Sequence, residues 1–293
     1  MNQELLEQLY SYSYAMKVIR EYIDSQKLET AMLRLYNWVD KPHYESKATQ
    51  LYKIVNLDLM DELALRIITT VASIGSPNLN TIIGIVSPWL EAKLDDNHPR
   101  TMKRVGEVTA ILCEADILDA KLVDVPNEPD NDEDGFYSTG THEEIIISLC
   151  NLALPRDIKL QLASVGYIPC MFEAPNRVHY MHDSPYYVHQ AESLVNSWAE
   201  PNLPINGYGL DLVAGIRYKL AREFLKTIEP TGNSEHHMLA TEGAVDLIGD
   251  NEFFLPAYYD TRGRQYARGW QVNYQGDDYH KSMISLADEI ELI

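Results

Sequence analysis

Few of the features that mark a membrane-embedded, disulfide-stapled or nucleic-acid-coating chain are present. No run of eighteen apolar residues occurs, and the amino terminus lacks a charged-then-apolar leader, so the sequence predicts no membrane segment and no secretory signal. The three cysteines, Cys113, Cys150 and Cys170, are odd in number and far apart, which argues against a disulfide framework or zinc cluster and suits a reducing compartment. Positive charge is scarce. Lysines and arginines number 24 against 44 aspartates and glutamates, a net charge of −20. Non-specific binding to duplexes depends on cations that displace counterions from phosphate, so a general nucleic-acid coat is excluded and any such contact must be local. The sequence reads as a soluble, cytoplasmic protein.

At 293 residues the chain has room for two domains, or for one domain and an appended piece. Residues 1–40 repeat apolar positions at three- and four-residue intervals (Leu5, Leu6, Leu9, Met16, Ile19, then Leu28, Met32, Leu35), which predicts two amphipathic helices. Three more helices are predicted at 58–74, 80–94 and 100–114, separated by Gly75-Ser76-Pro77 and Asn97-His98-Pro99, with a strand at 117–125 behind them. Three helices followed by a strand suit a winged-helix DNA reader, which would present Arg100, Lys103 and Arg104 to a groove. This helical domain takes in residues 1–125.

Residues 126–135 hold two prolines and five acidic residues and predict a loop or linker. Gly135 follows the acids directly and Thr141 stands where a calcium loop needs glutamate, so calcium is not expected. Residues 136–250 read as a mixed, mainly helical continuation. The cleanest helical period runs over 209–228, with Leu212, Val213, Ile216, Leu220, Phe224 and Leu225 on one face and Arg217, Lys219, Arg222 and Lys226 on the solvent face. His236 and His237 are adjacent, point different ways, and read as surface residues.

The run at 255–267 carries the clearest chemistry. Arg262 and Arg264 flank Gly263, with Asp260 ahead and Tyr266 behind. A guanidinium grips phosphate bidentately, and glycine lets the backbone come close. Within 255–287, Arg262, Arg264, Arg268 and Lys281 against Asp260, Asp277 and Asp278 give a net charge of +1, leaving −21 for the rest of the chain. Such an island in an acidic background is where a nucleic acid would sit.

This stretch resembles the single-subunit RNA polymerases of bacteriophages and mitochondria. Their pattern P-x-x-x-D-x-R-G-R-x-Y-A is met by Pro256, Asp260, Arg262, Gly263, Arg264, Tyr266 and Ala267, and the following Q-G-x-D-x-x-K-x-x-x-x-L-A by Gln275, Gly276, Asp278, Lys281, Leu286 and Ala287. Tyr274 departs from the usual proline before the Gln-Gly pair. His182-Asp183-Ser184 shares letters with that family's metal-binding H-D-S, but it precedes the arginine motif and is followed by Pro185, so it reads as a decoy.

In the family resembled, both catalytic aspartates and the nucleotide-binding lysine and tyrosine follow the arginine motif, and this chain has only six residues after Ala287. The resemblance therefore implies the smaller subunit of a heterodimeric, split phage RNA polymerase. Its fold would be a mostly α N-terminal domain followed by a small β element at 251–293, the first part of a palm, α+β overall. A second subunit carrying the remaining palm and fingers would complete the sheet and hold Mg2+; no catalytic residue and no metal belong to this chain. Only some 25 residues precede the motif after Pro230, so the thumb is reduced. Arg262, Gly263, Arg264, Tyr266, Gln275, Gly276 and Lys281 would contact DNA template and RNA transcript, with Asp260 bracing the arginines. Weak grip on duplex implies a recruiting factor or a single-stranded template, and the setting implied is the cytoplasm of an infected bacterial host.

Overall fold

Capping residues, as much as apolar periodicity, set the first helices. The computed structural model describes residues 2–95, 98–126, 141–150, 153–168, 170–188, 194–196, 204–227, 235–260, 262–269 and 271–288. The acidic segment beyond Pro126 lies outside the described residues. The chain starts with α1 (Gln3–Leu9), α2 (Tyr12–Tyr22) and α3 (Ser25–Val39), three helices where two were expected. Ser11 makes the extra break: its hydroxyl donates to the Gln8 carbonyl (2.7 Å) and accepts from the Tyr14 amide (3.2 Å), ending one helix and capping the next. Asp24 caps α3 by accepting from the amides of Gln26 and Lys27.

Next come α4 (Glu45–Asn56), α5 (Met60–Ile74), α6 (Leu79–Leu94) and α7 (His98–Glu114), then β1 (Leu118–Pro126) and β2 (Thr141–Leu149). The fold is α+β and mostly helical, as expected. Two compact units form, Met16–Leu154 and Met1–Ala15 with Pro155–Ile293. These limits differ from the breaks drawn in the sequence at 125 and 250. The reason at the first break is strand pairing: β2 returns antiparallel along the whole of β1, from Leu118 opposite Leu149 to Pro126 opposite Thr141.

The unit Met16–Leu154 is built around α5. Leu63, Ala64, Ile67, Ile68 and Val71 are all fully buried, so this helix is covered on most of its circumference. Asn78 ties the next elements together. Its side-chain oxygen accepts from the Thr81 amide (2.8 Å) to cap α6, and its amide donates to Glu144 on β2 (3.0 Å). On α7, Arg104 is only 2% exposed and its guanidinium pairs with Glu107, which also receives Lys47 at 2.6 Å. The winged-helix reading needed Arg104 on the surface beside Arg100 and Lys103. Packing of α7 turns it inward instead, so that three-cation stripe does not exist.

The other unit adds α8 (Arg156–Leu162), β3 (Val195–Asn196), α9 (Gly207–Ala214), β4 (Tyr218–Leu220), α10 (Arg222–Leu225), α11 (Glu235–Ile248), β5 (Ala257–Asp260), β6 (Gln265–Ala267), α12 (Asp278–Ser282) and β7 (Ile284–Leu286). Strand β5 lies between β3, parallel, and β6, antiparallel, while β7 pairs antiparallel with β4. One core cluster joins Phe253, Leu255, Val272, Met283 and Cys170 to Tyr218, Leu220 and Ile248, and so packs α11 against both pieces of sheet. Helix α1 is held in this unit by polar groups: Gln3 Oε1 accepts from the Phe172 amide, and buried Glu7 accepts from the amides of Tyr187 and Val188.

The long helix expected at 209–228 is divided into α9, β4 and α10. Backbone pairing overrides its period: β4 bonds to β7 on one side and to Phe253 on the other, burying Tyr218 and Leu220 while Leu212, Ile216 and Phe224 face outward. Three of its four cations sit in ion pairs, Arg217 with Glu252 and Asp288, Arg222 with Asp250, and Lys226 with Glu223. No described helix is long and apolar enough to cross a membrane.

Replacing Asn78 by alanine removes both the α6 cap and the link to β2. The expected loss is about 1–2 kcal/mol of unfolding free energy, read from urea denaturation of the purified chain with an unchanged slope.

Candidate nucleic-acid interface

The arginine motif forms a hairpin because Asp260 collects the donors of the turn. Tyr259 stands opposite Gln265, Tyr258 opposite Tyr266 and Ala257 opposite Ala267. The Asp260 amide donates to the Arg264 carbonyl (2.9 Å) and the Gly263 amide to the Asp260 carbonyl (2.9 Å), which closes the loop. Gly263 has φ +78°, a left-handed value that a side chain disfavours, and this explains glycine between the two arginines.

The Asp260 side chain then organises both arginines. Its Oδ1 accepts from the amides of Arg262 and Arg264, each at 2.9 Å, and its Oδ2 from Arg262 Nε (3.3 Å) and Arg264 Nε (2.7 Å). The carboxylate is 15% exposed, whereas Arg262 and Arg264 are 69% and 53% exposed. Negative charge therefore lies inside and positive charge outside. Partial desolvation pushes the Asp260 carboxyl up, but bonds from the Arg264 amide and guanidinium, the Arg264 charge and the Tyr266 hydroxyl outweigh it and hold it below the ordinary 3.8. With four donors on its two oxygens, this carboxylate is a brace and does not fit a magnesium ligand.

Beyond the motif the hairpin carries a row of two stacked rings with a cation at each end. The Arg264 guanidinium carbon lies 5.4 Å from the Tyr266 ring centroid, Tyr266 stacks on Tyr258 at 5.7 Å, and Arg268 lies 5.1 Å from Tyr258. From the sequence, Arg268 counts only toward the charge of this stretch, and Tyr258 has no role assigned. The signal was the two-residue alternation Arg264, Tyr266, Arg268, which puts all three on one face of β6 and its continuation.

The second half of the motif divides its work. Gln275 covers the outer edge of β6: its Oε1 accepts from the Ala267 amide (2.7 Å) and its Nε2 donates to the Gln265 carbonyl (2.9 Å), as a neighbouring strand would. The sequence reading left this palm edge open for a partner; one side chain of the same chain occupies it. A Cβ on Gly276 would fall 2.7 Å from His280 Cβ, so the turn into α12 needs glycine. His280 is buried, bonded to Asp277 (2.7 Å) and stacked on His237 of α11 at 5.1 Å, so His237 has a packing role where a surface residue was expected. Lys281 is exposed on α12, 3.5 Å from Asp278. Asp260, Arg262, Gly263, Arg264, Tyr266 and Gln275 are thus brought together, while Lys281 stands on a separate element. In the His182-Asp183-Ser184 stretch, Asp183 Oδ2 accepts from the amides of His179 (2.6 Å) and Tyr180 (2.9 Å), the work of a turn.

No family model matches the chain. Over 42 residues, 14% of its length, it is 50% identical to a probable DNA-directed RNA polymerase of Agaricus bitorquis, and spans 4% of that protein. The chain is thus similar to an RNA polymerase over a short stretch.

The hairpin's ion pairs give a pH signature. Because the folded-state carboxyl of Asp260 is depressed, its bonds are complete above the ordinary aspartate value and fade only as pH falls through the lower one. A carbon-13 NMR titration of the Asp260 carboxyl is expected to show a midpoint below 3.8; in Asp260→Asn, hydrogen exchange at the Arg262 and Arg264 amides is expected to accelerate.

Proposed function

We propose that this chain is the smaller subunit of a two-chain, DNA-dependent RNA polymerase resembling the single-subunit phage and mitochondrial enzymes. In this reading the hairpin positions the template strand and the RNA–DNA hybrid, while the second subunit supplies the remaining palm and fingers, the catalytic aspartates and their magnesium. The observation that carries it is the brace at Asp260, which presents two exposed, fixed guanidiniums within a polymerase-like motif that runs without a gap from Pro256 to Ala287. Support also comes from the short similarity to a probable RNA polymerase.

The roles divide by what each side chain is free to do. Arg262 and Arg264 face solvent and suit phosphate oxygens; a planar fork tethered through its Nε has fewer orientations open to it than a free one, which lowers the entropy lost on binding. Tyr266 holds Arg264 by ring and hydroxyl. Gln275 and Gly276 shape β6 and the turn into α12, and Lys281 offers a further exposed cation on α12. Nucleotidyl transfer needs two carboxylates around paired metal ions, and Asp260 is taken up by its arginines. In this reading the step belongs to the partner. With β6 covered by Gln275 and β7 paired to β4, that partner docks elsewhere than along the β6 edge.

The test is co-expression with a second polymerase-like chain, followed by primer extension with ribonucleotides on a DNA template. Activity is expected only with both chains. In Arg264→Ala, kcat/KM for template is expected to fall at least about tenfold, the scale of a lost charge-assisted phosphate contact, with assembly unchanged by size-exclusion chromatography. A stable lone monomer with no affinity for such a chain would sink the proposal.

A further inference from the structure

The motif explains Arg264 and Tyr266 but not the two side chains that continue their stack. Tyr258 lies directly across the ladder from Tyr266, and Arg268 is two residues beyond Tyr266 on the same face. The order along the row is Arg268, Tyr258, Tyr266, Arg264, each side chain within 5.1–5.7 Å of the next. Its two ends differ. Arg264 is more than half exposed, whereas Arg268 is partly buried with its Nε out of solvent, and its charge acts on the hydroxyl of buried Tyr186, opposing the rise that burial gives that group.

Taking the Arg264 phosphate contact proposed above as its basis, we infer that Tyr258 and Arg268 are positioning residues that act through Tyr266 to fix the plane of the Arg264 guanidinium for a single nucleic-acid strand. Asp260 bonds Arg264 through Nε, about which the end of the side chain can still turn. A ring lying against the guanidinium restricts that turn, and a ring backed by a second ring and a partly buried cation cannot easily tilt away. Removing Tyr258 leaves both arginines and their charge in place and lets Tyr266 relax into the space. The loss is then in orientation, so binding weakens while net charge stays the same.

The two co-expressed chains supply the test, with single-stranded template DNA as the varied substrate in primer extension. Tyr258→Leu is expected to raise the template KM about fivefold, on the scale of one cation–π contact and its ordering effect, and Tyr258→Phe, which keeps the ring, is expected to restore it. The effect should vanish in the Arg264→Ala background, because a residue acting through Arg264 has nothing left to position. Arg268→Met is measured in the same two backgrounds and decides the matter should Tyr258→Leu fail to fold by circular dichroism. Wild-type KM in the single variants, or an effect that adds in full to Arg264→Ala, overturns the inference while leaving the template role of Arg264 standing. Wild-type kinetics in Arg264→Ala itself overturns both.

Discussion

One carboxylate governs the arginine hairpin of this chain. Asp260 takes two backbone amides on one oxygen and two guanidinium nitrogens on the other, so the same group that sets the turn also aims both arginines. Turn geometry and surface charge are therefore coupled. Placing the acid inside and the bases outside makes a small positive surface on a chain whose overall charge is −20; in the proposed role, local geometry and not long-range attraction would do the binding.

The rest of the unit holds that hairpin at a fixed place. Strand β3 flanks β5, Gln275 covers β6, and the cluster around Phe253 and Leu255 lies beneath, with α12 secured by the stacked His237–His280 pair. The hairpin is short, and a short two-stranded ribbon is marginal by itself. Here its outer edge is closed by a side chain instead of a strand. That arrangement also takes up one strand edge along which another chain could pair, which bears on how the proposed second subunit would approach.

Much of this was legible in the sequence where the signal was local. The helices α5, α6 and α7 and the strand β1 follow from apolar period and the breakers Gly75, Pro77 and Pro99, and the hairpin follows from the arrangement around Gly263. Long-range constraints were not legible. The period at 209–228 is a good helical pattern, yet pairing of Tyr218 and Leu220 with residues 284–286 and with Phe253 outweighs it. Arg104 read as a surface cation because its burial comes from the packing of α7, which the i,i+3 spacing of its pair with Glu107 does not reveal. Gln275 read as a ligand contact because nothing in a sequence shows that an amide eight residues on can stand in for a strand. Arg268 was visible as a charge and as part of the alternation Arg264, Tyr266, Arg268, while the place of Tyr258 appears only once β5 is laid against β6.

Arginine-selective modification with phenylglyoxal, read by mass spectrometry on the assembled two-chain polymerase with and without template–primer, asks most directly whether the guanidiniums braced by Asp260 meet nucleic acid. The expected result is that Arg262 and Arg264 become protected when template–primer is added, while Arg156, exposed and paired with Glu242 on α11, stays as reactive as before. Equal modification of Arg262 and Arg264 in the two states would contradict it.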